Sequence, residues 1–314
     1  MKKLLLLSTL LFLITSFVKS DDSYKNVPLA DPFILLYDDT YYAYGTGSAD
    51  GIEVITSKDL INWKKVDNQR NGLALHKDDS FGDKWFWAPE VYYVNGKFYM
   101  YYSAEEHICV ATSDSPLGPF VQDEKLPMLP GEKTIDNSLF IDDDGTPYLF
   151  FDRFNDGLNI WVAELEKDLK TIKKETLHPC IHVSQKWEEV WPRVNEGAFV
   201  IKQNGIYYMT YSANSYESQF YGIGCATATD IKGEWTKYTH NPLLQKPGNL
   251  FGVGHSSMFK DKDGLWRIVF HAHQSETEIH PRNMFISNVY FKNVAGEDVL
   301  HIDSNFITPV LVGD

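Results

Sequence analysis

Three carboxylates, Asp31, Asp136 and Glu196, open three of five related segments, and the other two segments open on Ala88 and His255. The segments read Asp31-Pro-Phe-Ile, Ala88-Pro-Glu-Val, Asp136-Asn-Ser-Leu, Glu196-Gly-Ala-Phe and His255-Ser-Ser-Met. If the repeats are arranged around an axis, residues at one phase converge on a ring. Carboxylates crowded there repel one another and lose hydration, a local cost that points to chemistry rather than packing. Turn or cap carboxylates at exposed strand ends are the alternative. A protonated and an ionised carboxyl in one cleft are what glycosidic cleavage needs, one to donate to the leaving oxygen and the other to deprotonate water or attack the sugar. A third can hold the acid protonated by like-charge repulsion. Trp87 and Trp191 could stack on sugar faces and bond hydroxyls with their polar edges; core packing is the alternative for either.

What must position these residues is a hairpin in every segment. A polar turn follows each apolar fourth position: Asp38-Asp39, Asn95-Gly96, Asp144-Gly145, Asn204-Gly205 and Asp263-Gly264. An aromatic run comes next, Tyr41 to Tyr44, Phe98 to Tyr102, Tyr148 to Phe151, Ile206 to Tyr211 and Leu265 to Phe270. Strand, tight turn and strand read as a hairpin, with Gly or Asn supplying positive φ. The starts recur every 48 to 60 residues, room for about four short strands per unit, so five units predict an all-β, five-bladed β-propeller. A β-sandwich is the rival, but it leaves five hairpins opening at equivalent positions unexplained. Val110-Ala-Thr-Ser-Asp-Ser-Pro-Leu-Gly-Pro-Phe120 resembles Cys225-Ala-Thr-Ala-Thr-Asp-Ile-Lys-Gly-Glu-Trp235, and Ser57 to Trp63 ends similarly. These aromatic ends are predicted to pack between blades.

With 43 acidic against 29 basic side chains among 314 residues, the charge of −14 disfavours nucleic acid and acidic membrane surfaces as partners. Lys2 and Lys3, an apolar run from Leu4 to Val18, and Ser20 read as a secretory signal peptide over residues 1–20, cut after Ser20, rather than a membrane anchor. Residues 21–314 are then a single catalytic domain, periplasmic or secreted, monomeric, with no membrane insertion after cleavage. Three cysteines, Cys109, Cys180 and Cys225, indicate no disulfide framework. Asp142-Asp-Asp-Gly145 and Asp261-Lys-Asp-Gly264 lack the glutamate of a calcium loop and read as hairpin turns. No zinc spacing or phosphate loop is present, so nucleotide cofactors are not implied.

Asp31-Pro32, Trp87-Ala-Pro-Glu-Val91, Ile135-Asp136 before Asp-Asp-Gly, Asn195-Glu196-Gly197 and Gly254-His255-Ser256, in this order, resemble glycoside hydrolase family 43 across residues 28 to 314. That resemblance implies a five-bladed propeller of inverting enzymes acting on arabinose- and xylose-containing glycans. It further implies Asp31 as base, Asp136 as the residue that tunes and orients the acid, and Glu196 as general acid. His255 matches a histidine that in many members binds calcium directly or through water, although no cofactor is required. Arg282, in His280-Pro-Arg-Asn-Met284, matches an arginine that contacts the sugar beside the acid. The expected substrate is an oligo- or polysaccharide and the expected activity is exo-acting, α-L-arabinofuranosidase or β-xylosidase, with another furanose such as galactofuranose also open. An endo-arabinanase, or a non-catalytic carbohydrate-binding propeller, is the alternative.

Overall fold

The computed structural model describes residues 25–313 apart from Gln69, Trp191, Pro192 and Ala295; the predicted signal peptide and the Trp191 site lie outside the described residues. Each of the five segments forms its hairpin. The first sheet is built on Ala30–Tyr37, Thr40–Thr46, Gly51–Ser57 and Asn62–Lys65, and the second on Trp87–Val94, Lys97–Ala104 and His107–Ser113. Thr134–Ile141, Pro147–Phe154, Leu158–Glu164 and His178–Ile181 make the third. Asn195–Gln203, Ile206–Ala213, Gly222–Ala228 and Thr236–Lys237 make the fourth, and Gly254–Lys260, Trp266–Ala272, Asn283–Val294 and Glu297–Ile307 the fifth. First strands of successive sheets contact one another, and the fifth returns to the first. The chain is an all-β propeller.

The aromatic ends do pack inside: Trp63 and Phe120 are fully buried, and Trp235 meets Phe150 edge-on at 5.9 Å. The indole N–H of Trp63 donates to the Leu60 carbonyl and that of Trp235 to the Ile231 carbonyl, which meets the need of a buried N–H for a partner. Sequence patterning did not foresee how the ends of the chain join. Val310–Leu311 pairs in parallel with Asn62–Lys65 and antiparallel with Lys25–Asn26 on the outer edge of the first sheet, which ties the two ends of the described chain together.

Every first strand carries a bulge near its start, between Ala30 and Phe33, Trp87 and Glu90, Ile135 and Ser138, Glu196 and Phe199, and Gly254 and Ser257. Asp31, Ala88, Asp136, Gly197 and His255 there adopt positive φ, between 43° and 61°. This corrects the repeat phase. The fourth equivalent of Asp31 is Gly197, and Glu196 shares its register position with Ala30, Trp87, Ile135 and Gly254. Sequence comparison aligned Glu196 with Asp31 by placing Phe199 at the apolar fourth position, whereas the equivalence is set by the bulge at Gly197.

Candidate active site

Each bulge turns one backbone N–H towards the preceding sheet. Asp31 N–H donates to His271 Nδ1 at 3.1 Å, Ala88 to Thr46 Oγ1 at 3.0 Å, Asp136 to Ser103 Oγ at 2.9 Å, Gly197 to Asp152 Oδ2 at 3.1 Å, and His255 to Ser212 Oγ at 2.7 Å. The acceptors lie on second strands directly opposite the residue before each bulge. The five bonds close a ring around the axis, so the strained backbone is held by neighbouring sheets rather than by local sequence.

Within this ring the carboxyls have different surroundings. Burial by itself would raise the pKa of Asp31, but Arg282, His255 and His271 outweigh it and hold the carboxyl well below the usual range. Arg282 Nη1 donates to Asp31 Oδ1 at 2.9 Å, and the Nδ1 atoms of His271 and His255 lie 3.3 and 3.6 Å from that oxygen. Burial and the Arg282 charge push His271 down to about 3, and burial lowers His255. Glu196 goes the other way. Burial, with a further push from Asp31, raises it to about 7 against the opposing Tyr221 hydroxyl, which donates to Oε1 at 2.5 Å. Asp136 is pushed well above its ordinary value by burial and then by Glu196 and Asp31. The ring thus keeps one carboxyl ionised and another protonated near neutrality, the division of labour that acid and base catalysis demands.

Comparison with known proteins gives this arrangement its context. The family model of Glycosyl hydrolases family 43 matches residues 25–294. The chain belongs to this family. The crystal structure of an endo-1,4-beta-xylanase from Bacteroides thetaiotaomicron is 48% identical, covers 92% of this chain and 99% of that one, and superposes with a TM-score of 0.87. A beta-D-galactofuranosidase of Aspergillus niger is 27% identical over 292 residues, 85% of this chain and 81% of its own length. An extracellular exo-alpha-(1->5)-L-arabinofuranosidase of Cellvibrio japonicus is 25% identical over 80% of each chain.

In this family 43 glycoside hydrolase the carboxylate ring adjoins a cleft of about 900 Å³ lined by Ala30, Thr46, Trp85, Trp87, His280 and Arg282. Trp87 is half-buried and stacks against Trp85 at 5.8 Å and 17°. Trp85 is 46% exposed and held at a positive φ of 60°. A pair of parallel indoles lining the cleft, with Trp85 open to solvent, is suited to the C–H faces of sugars. Arg282 pairs with Asp31 rather than lying only beside the acid, and its guanidinium sits over the Tyr216 ring at 4.7 Å. Among the described residues no three His, Cys, Asp or Glu side chains converge as a metal-holding set. Calcium asks for six to eight oxygen ligands, so the surroundings of His255 do not fit an ion held by protein atoms alone.

Five residues of the site escaped sequence reasoning: Asp152, His271, Tyr216, Tyr221 and Trp85. A signal existed for two of them. Near their ends the second strands read Gly45-Thr46, Tyr102-Ser103, Phe151-Asp152, Tyr211-Ser212 and Phe270-His271, a polar residue at one phase in all five. Tyr221 carries no such mark, because its aromatic ring reads as core and only the fold brings its hydroxyl to Glu196. That bond favours the ionised form of Glu196, so Tyr221→Phe is expected to raise the pKa of Glu196. The basic limb of kcat/KM then moves to higher pH, which a pH-rate profile reads directly; an unmoved limb detaches Tyr221 from the acid.

Proposed function

We propose that this chain is an exported hydrolase of arabinose- or xylose-containing glycans, working by inversion on a five-bladed propeller in which each of the five sheets is one blade. The observation that carries the reading is the split between Asp31, held ionised by Arg282, and Glu196, raised to about 7 in the same ring. Asp31 takes a proton from a water whose oxygen attacks the anomeric carbon. Glu196 gives its proton to the glycosidic oxygen as that bond breaks, and the sugar leaves with its anomeric centre inverted. Asp136, between the two in the ring, orients the acid. Trp87 and Trp85 carry the sugars next to the scissile bond.

The reading needs no cofactor; a calcium ion at His255 would be held through water, and no step passes through it. Release of single arabinofuranosyl or xylosyl units by a monomer is the activity we favour, in the periplasm or outside the cell. The extracellular Cellvibrio relative supports the location, and no helix among the described residues is long and apolar enough to cross a membrane. Endo cleavage is the second reading, favoured by the exposed Trp85 in the cleft and by the endo activity for which the Bacteroides relative is named.

A proton NMR time course on arabino-, xylo- and galactofuranosyl oligosaccharides separates these readings. A monosaccharide whose first-formed anomer is inverted is the expected product. Oligosaccharide products establish endo action, a retained anomer removes the single-displacement mechanism, and a folded protein that releases nothing points to a binding propeller.

A further inference from the structure

Asp152 is a carboxyl group that this mechanism leaves unused. In the ring of bonds between sheets the acceptors elsewhere are Thr46, Ser103, Ser212 and a neutral His271. Only the third sheet places a carboxyl there, opposite Ile135 and fully removed from water. Accepting one amide does not call for it, since Ser103 and Ser212 do the same with hydroxyls at 2.9 and 2.7 Å. The charges acting on Asp152 are those of Asp136 and Glu196, both of its own sign, and an ionised carboxylate buried without a cation is costly. Its Oδ2 is occupied by the Gly197 amide, while the buried Oδ1 receives no hydrogen bond. The neighbouring carboxyl that acts on the side chain, and on which the side chain acts in turn, is that of Asp136. A buried oxygen that nothing donates to, beside a second carboxyl, is satisfied when it bears a hydrogen and donates it. Burial and the two neighbouring carboxyls push Asp152 in that direction, well above its ordinary range.

We propose that Asp152 is a positioning residue that stays a neutral carboxylic acid, its Oδ1–H donating to Asp136 while its Oδ2 holds the amide of Gly197. One side chain then orients the carboxyl beside the acid and fixes the backbone one residue after Glu196. The inference rests on the reading of Asp31, Asp136 and Glu196 as the catalytic group.

Two variants of the full chain separate donor from latch. Asp152→Asn keeps both bonds, its amide oxygen on Gly197 and its NH₂ towards Asp136; Asp152→Ser keeps only the latch, as in the second and fourth sheets. The serine variant is expected to fold with a melting temperature within a few degrees of wild type and to lose about 10- to 100-fold in kcat with KM little changed. Without the donated hydrogen Asp136 takes up a proton, repels ionised Glu196 less and lets the acid's pKa fall, so the basic limb of the pH profile moves to lower pH. Asparagine is expected to restore both rate and limb. A serine variant with the wild-type rate and profile reduces Asp152 to a backbone latch, and an asparagine variant as impaired as serine overturns the donor.

A readout independent of turnover is the infrared carbonyl band of protonated aspartic acid at pH 7, taken on ¹³C-aspartate-labelled protein. Loss of band intensity is expected in the asparagine variant, whereas the serine variant, in which Asp136 takes up the proton, is expected to keep a band at a shifted position; an unchanged band in the asparagine variant overturns the proposal. If wild-type protein cleaves no glycan, that counts against the functional reading, while the band still decides the state of Asp152.

Discussion

Asp31→Asn is expected to lower turnover by about 10²- to 10⁴-fold and to move the melting temperature by no more than a few degrees. The rate falls because an amide cannot take the proton of the attacking water. Stability survives for two reasons. The asparagine oxygen still accepts from Arg282, which otherwise becomes a buried cation without a partner, and removal of one negative charge relieves the repulsion that raises Asp136 and Glu196. Asparagine is also the substitution the backbone allows, because residue 31 sits at a φ of 47°, a region asparagine tolerates better than most residues. Single-turnover rates with thermal melts on the same samples make the comparison. Retained activity in the variant removes Asp31 as base, and a large melting shift assigns it to structure.

Glu196→Gln separates substrates by their leaving groups. On natural glycosides, whose departing alcohol must be protonated, the loss is expected to reach about 10²- to 10⁴-fold. Aryl glycosides with good leaving groups need little help and are expected to lose far less. The sign of the pH dependence follows from the same residue: Glu196 must be protonated and its pKa is raised to about 7, so wild-type kcat/KM falls as pH rises through that value. The glutamine variant is expected to lack this limb. The amide oxygen of the glutamine can still accept from Tyr221, so the comparison isolates the proton. Equal losses on both substrate classes, or a basic limb that persists in the variant, count against Glu196 as the acid.

Much of this protein was legible along the chain because hairpins are local. Asn95-Gly96 and Asn204-Gly205 supply paired positive φ values at the turns, 50° with 84° and 50° with 79°. The aromatic strands beyond them pair antiparallel with the strands that precede the turns, as a hairpin requires. Asp31, Ala88, Asp136 and His255 fell at the predicted phase of the ring. The position in the fourth sheet did not: in Asn195-Glu196-Gly197 an acidic residue stands beside the glycine that takes the bulge, and sequence similarity selected the side chain while backbone geometry selected its neighbour. His271 and Asp152 were hidden in aromatic strands, where a polar residue at the end of the run looks like the start of a loop.

The sequence by itself determined the hairpins, their five-fold recurrence and the presence of three carboxylates near their openings, since turn residues and side-chain alternation act over a few positions. Tertiary structure alone decided which carboxyl is ionised. Arg282 reaches Asp31 across 251 residues, Tyr221 reaches Glu196 across 25, and Asp152 holds Gly197 across 45. The charge of a buried carboxyl depends on the cations, donors and other carboxyls within a few ångströms, and those neighbours come from other sheets, brought together only when the ring closes.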